Sequence, residues 1–144
     1  MDIEEILNLW KDDVNIDPTE LSSESLKVPK LHHKYYQILV RERLILKKYK
    51  EDYKSLKLDK YEFYTQGPSE ETIKKGWELP SKGLILKPDI PLYMDADKDI
   101  SNLSLRIGLQ EEKISLLESI IDSIMKRSYL INSAIEWQKF TMGA

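Results

Sequence analysis

The 144-residue sequence contains no cysteine, which excludes disulfides, thiolate nucleophiles and thiolate metal sites. Glycine and proline are scarce, at five and six residues, and 33% of the residues are charged, so the composition is that of a folded chain. Aromatic residues make up only 9%, which favours burial shared between subunits. The N-terminus lacks the features of a signal peptide, and no apolar run approaches the ~20 residues of a membrane-spanning helix. These absences predict a soluble cytoplasmic protein of one domain with no membrane contact.

Signatures of catalysis are also missing from the sequence. It has no glycine-rich phosphate loop, no glycine-serine nucleophile elbow and no ordered pairing of a nucleophile with a histidine. His32 and His33 are adjacent, so on a helix they diverge by about 100° and cannot share a metal without other ligands. We therefore expect no catalytic residues, no metal site and no cofactor.

Three aspartates, Asp95, Asp97 and Asp99, have the alternate spacing that opens an EF-hand calcium loop. The match fails because the sixth position is Ile100 instead of glycine and the twelfth is Arg106 instead of glutamate. An acidic first turn of a helix is the favoured interpretation. A magnesium-dependent nuclease built on these aspartates is the least favoured alternative.

Charge is distributed unevenly along the chain, although the net charge is only −3. Residues 1–26 carry a net −7 and residues 27–60 a net +7, whereas residues 61–99 carry −3 and residues 100–144 are balanced. An acidic arm, a basic segment and a neutral C-terminal segment are three different surfaces.

The predicted fold class is mainly α, with long amphipathic helices and an irregular central loop. We divide the single domain 1–144 into acidic N-terminal helices (1–28), a basic helix (29–64), a loop (65–94) and an oligomerisation helix (95–144). The first helix is expected over residues 2–12, and a second begins with Asp17 as its N-cap and stops or kinks before Pro29. The loop contains four of the six prolines, with one helical turn expected at 69–75 and a short strand at 84–87.

Wound at 100° per residue, the basic segment separates into an apolar face and a row of cations. The apolar face includes Leu31, Tyr35, Leu39 and Phe63, with Glu42 as its only charged member. Candidate nucleic-acid-binding residues, which we call the basic stripe, are Arg43, Lys47, Lys50, Lys54, Lys57, Lys60, Tyr61 and Tyr64. Like charges at this spacing repel each other unless an anion is bound, and nearby aromatic rings favour single strands, whose bases are free to stack. A merely solvated lysine-rich face is the alternative.

The C-terminal segment has apolar residues at a seven-residue period, which predicts coiled-coil-like packing in an oligomer. The predicted oligomerisation seam comprises Ile107, Ile114, Leu117, Ile121, Ile124, Ile131 and Ile135. Isoleucine at both seam positions favours assemblies larger than a dimer. Further apolar residues, among them Leu130 and Trp137, lie off the seam and widen the apolar surface.

The order of these segments resembles the phage recombination mediator family typified by UvsY. The resemblance rests on Asp13-Val14-Asn15-Ile16-Asp17, the long basic helix, Phe63-Tyr64-Thr65 and Ala96-Asp97-Lys98-Asp99. It implies a non-enzymatic protein of the host-cell cytoplasm that binds single-stranded DNA and forms a homo-oligomer, expected to be a ring. Its other implied partners are a phage recombinase, which it helps to load, and the phage single-strand-binding protein, whose hold on DNA it weakens.

The same resemblance assigns a DNA contact to the basic residues that precede an aromatic pair. Counting back from Phe63-Tyr64 brings that role to Lys60. The chain departs from the family at Leu58, where a second lysine is expected, and Lys57 stands beside it. The rival hypothesis is a structural coiled-coil scaffold without DNA binding, in which the basic stripe pairs with the acidic arm of a neighbouring subunit.

Overall fold

The computed structural model describes residues 1–80, 83 and 85–143, and in this part the chain is almost entirely helical. The helices are α1 (Ile3–Asp13), α2 (Leu21–Gln66), α3 (Glu70–Lys74), α4 (Ile90–Asp95) and α5 (Lys98–Thr141), with a 3-10 turn at Lys87–Asp89. No strand occurs among these described residues, so the mainly α prediction is confirmed. Nor does that part of the chain contain a helix apolar enough, over a sufficient length, to cross a bilayer.

Side-chain caps explain where α1 and α5 begin. The Asp2 carboxylate accepts the backbone N–H of Glu5 at 2.8 Å, and the Glu5 side chain accepts the Asp2 N–H at 3.1 Å. Asp97 caps α5 by accepting the backbone N–H groups of Asp99 and Ile100 at 2.9 and 3.0 Å. The helix predicted over residues 2–12 and the acidic start of the C-terminal helix are therefore confirmed.

The structure corrects the predicted start of α2 and the predicted effect of Pro29. Asp17 does not cap the helix, because its carboxylate accepts the N–H and hydroxyl of Thr19 in a local turn, and α2 begins at Leu21. Of the two outcomes predicted at Pro29, a stop or a kink, the stop does not occur, because the helix continues through this residue. A proline inside a helix costs roughly 3 kcal/mol, but Leu21 and Tyr35 on either side of it are buried on one face, and a break would separate them.

The segment predicted as a loop contains two short helices. The turn expected at 69–75 is confirmed by α3, in which Ser69 and Thr72 cap each other's backbone N–H groups. The α4 helix was not predicted. In the expected strand 84–87, Leu84 lies outside the described residues, Ile85 and Leu86 have no regular structure, and Lys87 begins the 3-10 turn, so the described part of that prediction is wrong.

The chain forms two compact units, residues 1–44 with 110–144, and residues 45–109. In the first unit, Trp10 meets Tyr35 edge-on with ring centroids 5.5 Å apart. The buried Arg127 guanidinium donates to the backbone carbonyls of Asp13 and Val14 at 2.7 and 3.0 Å. Each unit has its own core, and the expectation of one folding domain stays a prediction.

The isoleucine-rich side of α5 supplies the core of the first unit. The buried members of the predicted seam there are Ile114, Leu117, Ile121, Ile124 and Ile131. Glu42, the charged member of the apolar face of α2, is buried in this core as well. Its carboxylate accepts from the Gln110 amide at 2.6 Å and lies 3.3 Å from the Lys113 ammonium, which compensates for its burial. The seven-residue period, from which contacts between subunits were predicted, therefore reflects packing within the chain.

The second unit is built around a smaller core. Its buried apolar residues are Phe63, Tyr64, Ile90, Met94 and Ile100, contributed by α2, α4 and α5. Trp77 packs edge-on against Phe63 with ring centroids 5.6 Å apart, which anchors the segment after α3. This arrangement fixes the position of α4 beside the C-terminal part of α2.

Candidate nucleic-acid interface

Four lysines of the basic stripe lie exposed along the part of α2 that belongs to the second unit. They are Lys47, Lys50, Lys54 and Lys57. Their spacing of three and four residues places them on one helix face at a rise of about 1.5 Å per residue. The predicted row of solvent-facing cations is therefore present in this unit.

Intramolecular partners neutralise little of this row. Lys54 Nζ lies 3.1 Å from Glu51 Oε1, but both side chains are largely exposed, so the pair is weak. The Lys57 ammonium lies 5.9 Å from the Tyr53 ring centroid. Among the described residues, Lys47, Lys50 and Lys57 form no ion pair. The four ammonium groups are thus available to an anionic ligand.

Lys60 is placed differently from the other lysines, contrary to the prediction that it lies on the same accessible row. Its side chain is only 5% exposed, with the ammonium 3.1 Å from Asp97 Oδ2 and 2.8 Å from Asp99 Oδ2. The Trp77 ring lies beneath it, with the centroid 3.9 Å from Nζ. The ammonium therefore faces two carboxylates and an aromatic ring of its own unit instead of solvent.

Tyr64 is also buried, so its ring is not accessible for the base stacking that the sequence suggested. Its hydroxyl donates to Asp97 Oδ2 at 2.6 Å. Burial and this hydrogen bond both raise the pKa of Tyr64. Burial also pushes the pKa of Asp97 upward, but hydrogen bonds from Tyr64, the Ile100 N–H and Lys60 outweigh it and hold that pKa below its usual value.

The other aromatic residue of the basic stripe, Tyr61, is exposed. It borders an open cleft between α2 and α4, whose other lining residues are Lys54, Lys57, Leu58, Ile90, Pro91, Met94 and Asp95. Tyr61 is therefore positioned to contact a ligand held by the last two lysines of the row.

Arg43 belongs to the first unit and has an acidic partner there. Its guanidinium donates to the Glu118 carboxylate at 3.0 Å, and both side chains are about half exposed. Such an exposed pair contributes little and exchanges readily with solvent ions.

The aspartates at the start of α5 are engaged by other groups of their own unit. The carboxylates of Asp97 and Asp99 are directed to the Lys60 ammonium, and Asp97 also caps α5. Nowhere in the described part of the chain do three or more histidine or carboxylate side chains converge as metal ligands would.

Comparison with known proteins identifies the family. A family profile described as "Recombination, repair and ssDNA binding protein UvsY" matches residues 9–144. The chain belongs to the UvsY family. This membership confirms the resemblance deduced from the sequence and assigns the chain to proteins of recombination, repair and single-stranded-DNA binding. No curated protein sequence matches the chain.

Solved structures agree with the UvsY assignment at the level of the fold. One crystal structure of the bacteriophage T4 recombination mediator protein UvsY, in lattice type II, has a TM-score of 0.80 at 20% identity over 99% of this chain and 98% of that one. Lattice type IV gives a TM-score of 0.78 at 16% identity over 98% and 99% of the two chains. At these identities the similarity shows a shared fold.

One surface in this UvsY-family chain was only partly anticipated from the sequence. On the C-terminal part of α5, opposite the buried Ile124 and Ile131, large apolar side chains remain exposed: Met125, Tyr129, Leu130, Trp137 and Phe140. We call this set the outer face of α5. The off-seam positions of Leu130 and Trp137 indicated this apolar surface, whereas the seven-residue period predicted the seam on the opposite, buried side.

Two residues of the predicted seam are less buried than the others: Ile107 and Ile135 are half-buried.

Proposed function

We propose that this UvsY-family protein is a non-catalytic phage recombination mediator. It binds single-stranded DNA and helps to load a recombinase onto DNA covered by single-strand-binding protein, in the cytoplasm of the host. The row of exposed lysines on α2, followed by the exposed Tyr61, is the observation that supports DNA binding most directly. The mediator role is supported by the fold shared with bacteriophage T4 UvsY.

The proposed DNA contacts differ from the eight residues chosen from the sequence. Lys47, Lys50, Lys54 and Lys57 would bind phosphates, with Tyr61 beside them. Lys60 and Tyr64 would support this surface from beneath, because their polar atoms are already engaged by Asp97. In the first unit, Arg43 would bind a phosphate only by exchanging Glu118 for it.

We also propose that subunits assemble through the outer face of α5, in a homo-oligomer that closes as a ring. An exposed apolar set on one helix is typical of interaction surfaces. Assembly would place several lysine rows on one strand, so that weak binding by each subunit becomes avid. The buried seam residues would support assembly indirectly, by holding α5 in place.

Equilibrium binding of the full-length protein to a fluorescent single strand and to the matching duplex, across a salt series, tests DNA binding. Four phosphate contacts predict a slope of log affinity against log salt of about −2.8 per bound chain on a single strand. Replacing Lys47 and Lys50 by glutamine should reduce that slope by about 1.4. Absence of binding would support the scaffold alternative, and magnesium-dependent cleavage of the strand would support the nuclease alternative.

Recombinase loading requires a separate experiment. Single-stranded DNA is first covered with the cognate single-strand-binding protein, and assembly of the cognate recombinase is then followed with and without this protein. A mediator shortens the lag before assembly, and the Lys47→Gln, Lys50→Gln variant should lose that effect. If the parent protein binds DNA but leaves the lag unchanged, the mediator proposal is wrong.

A further inference from the structure

The open cleft between α2 and α4 has the composition of a ligand site. Its volume is about 470 Å³, within the range of roughly 300–1,000 Å³ usual for small-ligand pockets. One wall comes from α2, with Leu58 and Tyr61, and the other from α4, with Pro91 and Met94. Leu58 is 58% exposed, so the α2 wall leaves apolar surface in contact with solvent.

Charge is arranged asymmetrically around the cleft. Lys54 and Lys57 border it on the α2 side, whereas Asp95 borders it on the α4 side. A phosphate is attracted to the lysines and repelled by Asp95, so an anionic chain would follow α2. The group that enters between the two walls would then be an uncharged, flat part of the same ligand.

We propose that the cleft is a nucleobase subsite for single-stranded DNA. This inference rests on the proposed DNA-binding function and adds to it a place for one base. The strand's phosphates lie along Lys54 and Lys57, and the attached base enters the cleft and stacks against Tyr61, with Leu58 and Pro91 covering its edges. A duplex cannot occupy the subsite, because its base faces are stacked inside the helix.

A nucleobase suits the cleft better than a peptide side chain would. An acidic peptide would pair with the two lysines but has no flat apolar group attached to each charge. A basic peptide would be repelled by the lysines, and an apolar peptide would make no ionic contact with them. Each nucleotide carries one negative charge and one stacking surface, which is the combination that this cleft offers.

Strands with and without bases test the subsite. We would compare full-length parent protein on an oligonucleotide and on an abasic strand of equal length and charge. Stacking of a base on an aromatic ring contributes enough that Tyr61→Ala should weaken binding of the base-bearing strand by about fivefold or more. Binding of the abasic strand should change little.

Leu58→Ala separates the subsite from the charged row, because it removes neither a cation nor an aromatic ring. It should weaken binding of the base-bearing strand by about threefold. Binding of the abasic strand and the salt slope should not change, so the ratio of the two affinities falls. Leu92→Ala is the matched control, since Leu92 is 69% exposed on α4 but does not line the cleft. Lys57→Gln should instead weaken binding of both strands and reduce the slope of log affinity against log salt.

The outcomes distinguish this inference from the proposed function. If the parent binds base-bearing and abasic strands equally with the expected salt slope, the subsite is wrong while DNA binding stands. If Leu58→Ala and Leu92→Ala behave alike, the cleft is not occupied by a base. If the parent binds neither strand, the proposed function itself fails.

Discussion

Replacing Lys60 by alanine should destabilise the protein without changing the electrostatics of DNA binding. The substitution leaves the buried Asp97 carboxylate without its ammonium partner. Breaking a buried ion pair in this way costs about 3–5 kcal/mol. Asp97 keeps the hydrogen bonds from Tyr64 and the Ile100 N–H, so we expect the lower end, about 3 kcal/mol. With a urea m value of about 2 kcal/mol/M, the unfolding midpoint should fall by about 1.5 M.

Urea titration followed by circular dichroism measures this shift, and Lys57→Ala is the matched control. Lys57 lies one helical turn away but is exposed, so its removal should change the free energy of unfolding by less than about 0.5 kcal/mol. The same control should reduce the DNA salt slope by about 0.7, whereas Lys60→Ala should leave the slope at the parent value. If Lys60→Ala kept the parent midpoint and lowered the slope as Lys57→Ala does, Lys60 would be a DNA contact and the buried pair would not form in solution.

Three further outcomes follow from burial and charge. Because the folded pKa of Asp97 lies below its ordinary 3.8, the stability it contributes is present above that pH and is lost as the pH falls through the folded pKa, so Asp97→Asn should flatten the acid limb of a stability-pH profile. Serine at both Trp137 and Phe140 should dissociate the oligomer in sedimentation velocity and weaken DNA binding by about 100-fold or more through lost avidity. The control Leu26→Ser, which replaces an exposed apolar residue of α2, should do neither. Ile124→Ala should lower the free energy of unfolding by about 2–5 kcal/mol equally at high and low protein concentration, and a loss confined to low concentration would place this residue between subunits.

Local sequence signals predicted α1 from its helical periodicity and α5 from its acidic start and continuous periodicity. Asp2 with Glu5, and Asp97 before α5, satisfy backbone N–H groups within a few residues, so their geometry depends little on the rest of the chain. Pro29 does not stop the helix, because burial of Leu21 and Tyr35 on either side of it requires one continuous face. The short α4 lay among prolines that suggested only a loop.

Sequence periodicity alone determined that α2 carries a lysine row and that α5 carries an apolar side, because each face depends only on the helical repeat. Tertiary structure decided what meets those faces. Lys60 and Tyr64 continue the row by spacing, yet Asp97, 33 residues beyond Tyr64, draws both side chains inward. Five of the seven seam residues are likewise buried by their own chain, whereas the outer face of α5 stays exposed. Helical spacing specifies which side chains share a face, but only long-range packing specifies whether solvent, the same chain or another molecule covers it.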